Sequence, residues 1–574
     1  MPQDEDRIRG RVPIGRERLS GRGSVISSDP VISVPPELLS RYNARVLDPV
    51  TAVLEPLLAN SPQPPPVRST VYIADHLLVR SRLQEDSGAF PLLAEVADHL
   101  GLDLTVDDRD ALIADRAREA DAAELPAPVT LVRLTRRLAA AEAPTDLSVL
   151  RDRPRPSPTL STAKPAPPPL PAPPPDAWVV LQAYRSRLAP DAPERADVSL
   201  DHLLCMAPYG SFSPYGSFSP YGSFSGDLAA GYTGEYAVPG HGGRMPVAWV
   251  GDAPRRTPDD EFRGRRPVVA VLDTGIGEHD WLTPDIVSRD ASLASLLTNA
   301  QPSPDAPLVG ALSPDFGHGT FIAGLVRQKC PDASILDIPI GQGDGVLRES
   351  DILYLFRALL LRQVTAQRSN PADVIDVLCL SFGYYDEQPE DAVLDHKLWH
   401  EFAALGKVGV SVVASAGNDS TYRCFYPAAY SPHAAGLVTA PDHDCVPVIS
   451  VGATNPNERS VALFSNAGDW VACHRVGAAV VSTFPRDANG SMQPSEATTV
   501  VGDGLRSTID PDDFTNGSSG GFGTWSGTSF ASPILAGELA QAQLDGGGTE
   551  DVDPASCCNR AWKAVADVVG IPRP

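Results

Sequence analysis

Val268-Val-Ala-Val-Leu-Asp273-Thr-Gly-Ile-Gly277 is an apolar run that ends on a carboxylate and a glycine-bearing turn. The run predicts a β-strand with Asp273 at its carboxyl end. Beyond it, apolar runs alternate with stretches of helical periodicity. Strands are expected at Ser334–Ile338, Val374–Leu380, Gly409–Ala414 and Pro447–Gly452, with helices at Leu353–Val364 and Ala392–Gly406. Such alternation predicts an α/β fold, a doubly wound parallel sheet buried on both faces. In sheets of this kind reactive groups gather beyond the carboxyl ends of the strands.

Asp273 stands at such an end, where turn amides can keep a buried carboxylate ionised. Alone, an aspartate in that place is more often a turn residue. Two later segments change its meaning. Gly317-His318-Gly319-Thr320 opens the apolar helical run Phe321–Gln328, and its glycines permit close approach of backbone and substrate. Gly527-Thr528-Ser529-Phe-Ala-Ser-Pro533 opens a second helix, Ile534–Ala540, with its proline in the first turn, where amides lack intrahelical partners. The positive end of that helix points at Ser529. A serine hydroxyl needs an imidazole to take its proton, and the imidazole needs a carboxylate to hold its tautomer. Asp273, His318 and Ser529 are therefore the candidate catalytic set, in the chain order acid, base, nucleophile. His241 is also flanked by glycine, but no apolar helix follows it. The serine segment is not a Gly-x-Ser-x-Gly elbow, which argues against an α/β-hydrolase. A fourth segment, Val412-Val-Ala-Ser-Ala-Gly417-Asn418-Asp419, offers an amide. The Asn418 side-chain N–H and the backbone N–H of Ser529 can form an oxyanion hole; the plainer alternative is a Gly-Asn turn after a strand.

Together these four segments resemble the motifs of the subtilisin-like serine peptidases, the subtilases, over about residues 244–545. The resemblance implies a subtilisin-like fold and an endopeptidase that works through an acyl-enzyme. It also implies that Ser381-Phe382-Gly383 is the edge strand that pairs with an extended substrate backbone. Ala414-Ser415-Ala416 becomes the facing wall of the primary specificity pocket. No cofactor is needed for the chemistry and no metal ligand is assigned. Many relatives bind structural calcium, but this chain has no Asp-rich calcium loop, and calcium is left open. Phe321 stands where many relatives carry a non-catalytic histidine. The stretch from Asn418 to Ser529 is longer than a minimal member needs. The excess is expected at Thr483–Gly523, a polar loop suited to cover the cleft or dock a partner. In Pro441-Asp-His-Asp-Cys445, Asp442 or Asp444 would favour a basic residue before the scissile bond, or would simply be solvated.

Upstream, residues 1–65 are expected to be largely flexible, apart from a helix from Pro36 to Leu58. Strands are expected at Val71–Val79, Leu102–Val106, Val129–Leu134 and Ala177–Tyr184, with a helix at Phe90–Leu100 ending on Gly101. This predicts a small α+β unit over 66–205, carrying a Pro-rich insertion at 153–175. Its element order resembles the propeptide-like domains that precede many subtilases; a generic partner-binding domain is the alternative. Residues 206–243 follow as a low-complexity linker, in which Pro208-Tyr-Gly-Ser-Phe-Ser213 is repeated at 214–219 and 220–225. The repeat is either a flexible spacer or an extended recognition segment. Residues 244–574 form the expected peptidase domain.

The 574-residue chain carries a formal net charge of −25, which excludes a general nucleic-acid binder. No secretory signal and no apolar membrane span are seen, so a cytoplasmic protein is expected. Its eight cysteines form no Cys-x-x-Cys pairs, so structural zinc is not expected and free thiols are. The expected partners are a protein or peptide substrate and a protein that engages residues 1–243, with no nucleic acid or membrane. Against the peptidase stands a non-catalytic binding module that keeps the fold; a third reading, compatible with the peptidase, is a latent enzyme whose residues 1–243 recognise a partner.

Overall fold

The computed structural model describes residues 36–49, 67–80, 88–107, 125–137, 174–189, 191–206, 244–249, 251–290, 315–340, 345–388, 397–432, 442–486 and 521–574. To these it adds the backbone of 497–500 and 504–507 and a few isolated positions. The Pro208–Ser225 repeats, most of the proline insertion, and His241 lie outside the described residues.

The amino-terminal unit runs α1 (Pro36–Arg41), β1 (Ala44–Leu47), β2 (Thr70–Arg80), α2 (Ala89–His99), β3 (Leu102–Val106), β4 (Val129–Arg136), α3 (Ala177–Ser186) and β5 (Val198–Met206). Two expectations are corrected here. The helix expected from Pro36 to Leu58 stops at Arg41, because Asn43 takes a left-handed φ of 49° and Ala44–Leu47 pairs antiparallel with β2. The strand expected at Ala177–Tyr184 is the helix α3. Asp176 caps it by accepting a hydrogen bond from Trp178 N–H at 3.0 Å. Its apolar residues Trp178, Leu181 and Tyr184 recur at helical spacing and pack with Phe90 and Leu93 of α2 on one face of the sheet. The strand that the unit requires is supplied instead by β5, giving the order β5-β2-β4-β3.

The larger unit continues with β6 (Met245–Pro246), β7 (Val268–Asp273), β8 (Val287–Arg289), α4 (His318–Lys329), β9 (Ser334–Pro339), β10 (Val346–Arg348), α5 (Glu349–Ser369), β11 (Val377–Leu380) and β12 (Phe382–Gly383). It ends with α6 (Lys397–Lys407), β13 (Ser411–Ser415), β14 (Val448–Thr454), β15 (Cys473–Val476), β16 (Val480–Thr483), the hairpin β17 (Ala497–Val500) and β18 (Gly504–Ser507), β19 (Phe522–Trp525), α7 (Thr528–Asp545) and α8 (Pro554–Val569). Seven strands form one parallel sheet in the order β15-β14-β13-β11-β7-β9-β8. Its residues alternate between two cores. Val269 and Val271 of β7 face Phe321 and Leu325 of α4, Leu535 of α7 and Trp562 of α8. Val268, Ala270 and Leu272 face Leu355 and Phe356 of α5 and Phe402 of α6. Helices on both faces make this the expected doubly wound α/β sheet.

The two units meet on α5. Leu78, Leu131 and Leu204 of the amino-terminal sheet share a core with Tyr354 and Phe356. Arg109 ion-pairs with Asp351 at 2.6 Å, its guanidinium lying 4.3 Å above the Tyr354 ring. All eight cysteines are unpaired, and all but Cys205 are buried. Among the described residues, no helix is long and apolar enough to cross a membrane.

Candidate active site

β7 delivers Asp273 to the carboxyl edge of the sheet, buried and only 1 % exposed. Thr274 donates its backbone N–H to Asp273 Oδ1 at 2.8 Å. His318 Nδ1 lies 2.7 Å from the same oxygen. An imidazole that donates from Nδ1 keeps Nε2 as its basic nitrogen. His318 is the first residue of α4, and the glycines around it have steric reasons. Gly317 takes a φ of 80°, and a Cβ on Gly319 would stand 2.5 Å from the Gly275 carbonyl oxygen. Two hydrogen bonds lace the turn after β7 to the start of α4. Gly319 N–H donates to Thr274 Oγ1 at 3.1 Å, and Gly277 N–H to Thr320 Oγ1 at 2.8 Å.

Ser529 lies in the first turn of α7, which packs directly against α4. The ring of its neighbour Phe530 is 5.2 Å from the His318 ring, and Trp525 meets that imidazole edge-on at 5.6 Å. Ser529 and His318 are both fully buried. Ser529 Oγ and His318 Nε2 have no hydrogen-bond partner among the described residues, so the serine–imidazole bond is not formed in this state. Arg244 also reaches this corner. Its guanidinium donates to the Phe316 carbonyl at 2.8 Å and sits 4.9 Å over Trp525; burial pulls its pKa down to about 10.

Asn418 follows β13. Its Oδ1 accepts from both the backbone N–H and the hydroxyl of Thr528, each at 2.9 Å. That engagement fixes which end of the amide is left to donate, and it ties the asparagine to the residue before Ser529. The sequence reading missed Thr528, since a threonine at a helix start is an ordinary capping residue. Ser381 joins β11 to β12 and donates its hydroxyl to the Ser529 carbonyl at 3.4 Å. Phe382 and Gly383 form β12 itself. Ala414 and Ser415 close β13 beside β11, with Ala414 opposite Leu380, and Ala416 N–H donates to the Val451 carbonyl at 2.9 Å. Every site residue expected from the sequence thus stands at the carboxyl edge of β7, β11 or β13, or at the start of α4 or α7. Asp442 and Asp444 are exposed instead. Asp444 meets His443 at 2.9 Å and Arg573 at 3.7 Å.

The edge at β12 is occupied. β5 lies between β10 and β12, antiparallel to both, with Met206 opposite Phe382 and Cys205 opposite Gly383 and Val346. Met206 N–H donates to the Gly345 carbonyl at 2.8 Å. The sequence reading did not predict this strand, because Asp201 and His202 interrupt its apolar pattern. Both are buried and answered across the interface. Asp201 takes the Ser350 N–H at 2.9 Å and His76 Nδ1 at 2.9 Å. His202 stands between Glu349 Oε2 at 2.6 Å and Glu387 Oε2 at 3.0 Å, stacked on Tyr384 at 4.5 Å. Burial alone would lower the His202 pKa, but the two carboxylates carry it well above the ordinary value. Burial and the neighbouring Glu387 charge push Asp386 up to about 7. His202, Asp386 and Glu387 are clustered as metal ligands can be. Here, though, each His202 nitrogen already faces a carboxylate, and Arg185 stands 3.5 Å from Glu387. Protein cations meet the charge of the cluster.

Residues 264–545 match the subtilase family. An intracellular serine protease of Paenibacillus polymyxa is 26% identical over 302 residues, spanning 49% of this chain and 68% of that protein. The membrane-bound transcription factor site-1 protease of Homo sapiens is 27% identical over 302 residues, 51% of this chain but 22% of that protein. Its counterpart from Rattus norvegicus is 26% identical over the same shares.

Proposed function

The chain belongs to the subtilase family of serine peptidases through residues 264–545, and from that premise we propose that it is an endopeptidase acting through Ser529 and held latent by its own strand β5. The assignment of roles rests on the 2.7 Å contact between Asp273 and His318. In this reading, the ionised Asp273 orients the imidazole and supports its charged form. His318 Nε2 takes the Ser529 proton as the hydroxyl attacks the scissile carbonyl, then returns it to the leaving amine. The oxyanion is met by the Asn418 amide and the Ser529 backbone N–H, a pair whose loss by one donor typically costs about 2.7–4 kcal/mol of transition-state stabilisation. Water then hydrolyses the acyl-enzyme. The extended substrate pairs with Ser381–Gly383, while Ala414–Ala416 wall its primary pocket.

Latency is supported by the place of β5. A strand wedged antiparallel between β10 and β12 uses the backbone groups that an incoming peptide would need. Replacing Ser529 with Ala should abolish peptide hydrolysis and labelling by a fluorophosphonate; labelling that survives the change refutes the nucleophile.

A further inference from the structure

Asn466 lies between β14 and β15, outside all four sequence motifs, and is fully buried. A primary amide has one acceptor oxygen with two lone pairs and two N–H donors, and here every one of them is used. Oδ1 accepts from Asp419 N–H at 2.9 Å and Thr421 N–H at 3.3 Å. Nδ2 donates to the Ala416 carbonyl at 2.8 Å and to the Tyr385 hydroxyl at 2.9 Å. Its backbone N–H adds a bond to the Gly417 carbonyl at 2.9 Å. The Tyr385 hydroxyl in turn donates a hydrogen bond to Asp419 Oδ2 at 2.6 Å.

These partners have one thing in common. Ala416, Gly417, Asp419 and Thr421 flank Asn418 on both sides, and Asn466 touches all four. The loop also needs the support. Gly417 takes a φ of 94°, and a Cβ there would come within 2.4 Å of Asn466 Nδ2. The backbone thus turns sharply against the amide that holds it. Asn418 itself is engaged through its Oδ1 by Thr528.

We propose that Asn466 is a positioning residue for the oxyanion donor: it clamps the loop on either side of Asn418 and so aims that side chain at the developing charge. The inference rests on the oxyanion role given above to Asn418. An amide donor is effective only when it is preorganised, because its energy comes from not having to reorient during the reaction. Loss of the clamp therefore falls on the transition state rather than on substrate binding, which the backbone of Ser381–Gly383 supplies.

The test is a double-mutant cycle in the full chain, measured with a peptide anilide under conditions where the wild type turns over. Asn418→Ala should lower kcat by on the order of 10²-fold. Asn466→Ala and Asn466→Asp should each lower kcat about tenfold or more, with KM within about twofold. In the Asn418→Ala background the Asn466 changes should cost almost nothing, since the group they position is gone. Tyr385→Phe removes only the hydroxyl that joins Asn466 to Asp419. It should give a smaller fall with the same non-additivity, and it serves if the Asn466 variants do not fold. An Asn466 or Tyr385 effect of equal size in both backgrounds overturns the proposal, as does a rise in KM at constant kcat. An unchanged kcat in Asn418→Ala would instead refute the oxyanion role itself.

Discussion

His202 of the amino-terminal unit and Glu349 of the peptidase unit meet across a buried interface at 2.6 Å, with the second ring nitrogen of the imidazole against Glu387 at 3.0 Å. Tyr384 stacks on the ring, Arg185 pairs with Glu387, Asp386 lies beside it, and Arg423 donates to the Asp386 carbonyl. A histidine with a raised pKa steadies the docked state at low pH and loses that contribution as pH climbs through the raised value. Asp386, raised to about 7, acts in the same direction, since docking is weakened as it ionises between its ordinary pKa and about 7. Glu387, lowered to about 2, acts oppositely, but only between that value and the ordinary glutamate range. Docking should be tightest in mild acid and loosen towards alkaline pH. On the latent reading proposed above, peptidase activity should rise as pH climbs through the raised His202 value, and His202→Gln should flatten that rise; an unchanged profile in the variant argues against the histidine.

A charge in the buried β5 should open the cleft directly. Leu204 is fully buried between the two units and paired with Leu347. An unpaired carboxylate there faces a desolvation cost of several kcal/mol. Leu204→Asp should raise peptidase activity about tenfold or more at neutral pH and expose Ser529 to faster fluorophosphonate labelling. A folded variant with wild-type rates would show that β5 does not restrain the enzyme.

The bond that β5 would present is unusual. Met206 pairs with Phe382, and the next residue back along that edge is Ser381, whose hydroxyl touches the Ser529 carbonyl. The sequence continues Ala207-Pro208, beyond the described residues. A prolyl nitrogen bears no hydrogen, and its ring restricts the residue before it. The expectation is that the chain is not cut between 207 and 208, and that Pro208→Ser permits the cut. Intact-mass spectrometry decides: a wild-type fragment ending at Ala207 would contradict this reading.

Stability of the larger unit should depend on one buried aspartate that pairs with two arginines. Asp376 takes Arg265 through both nitrogens at 2.5 and 2.8 Å, the Val268 N–H at 2.8 Å, and Arg560 of α8 at 3.4 Å. It thereby joins the entry of β7 to β11 and the last helix. Asp376→Ala leaves two buried guanidiniums uncompensated and should cost about 3–5 kcal/mol in denaturant unfolding. A loss under 1 kcal/mol would mean that the aspartate is replaceable.

Much of the site was legible because its residues are tied to local backbone chemistry. Asp273, His318, Asn418 and Ser529 each sit within two residues of a glycine where strand or helix begins or ends, and such punctuation is visible in a sequence. The central strands were legible for the same reason, being uniformly apolar. Asn466 was not, since a buried asparagine identifies itself only through partners brought together by folding. α3 was misread because a short apolar run carries too little periodicity to separate helix from strand. β5 escaped because Asp201 and His202 look exposed until their partners on α5 are in place.

On the latent reading proposed above, the restraining strand β5 belongs to the same molecule as Ser529. An inhibitor supplied from outside is lost on dilution, whereas a tethered one keeps a fixed local concentration, on the order of millimolar for a short flexible link. Diluting the enzyme should therefore not awaken it, and a weakly binding peptide should compete poorly at any ordinary abundance. On that reading, what frees Ser529 would act on the fastening itself, by altering its charge, by severing the chain, or by gripping residues 36–206 more tightly than α5 does.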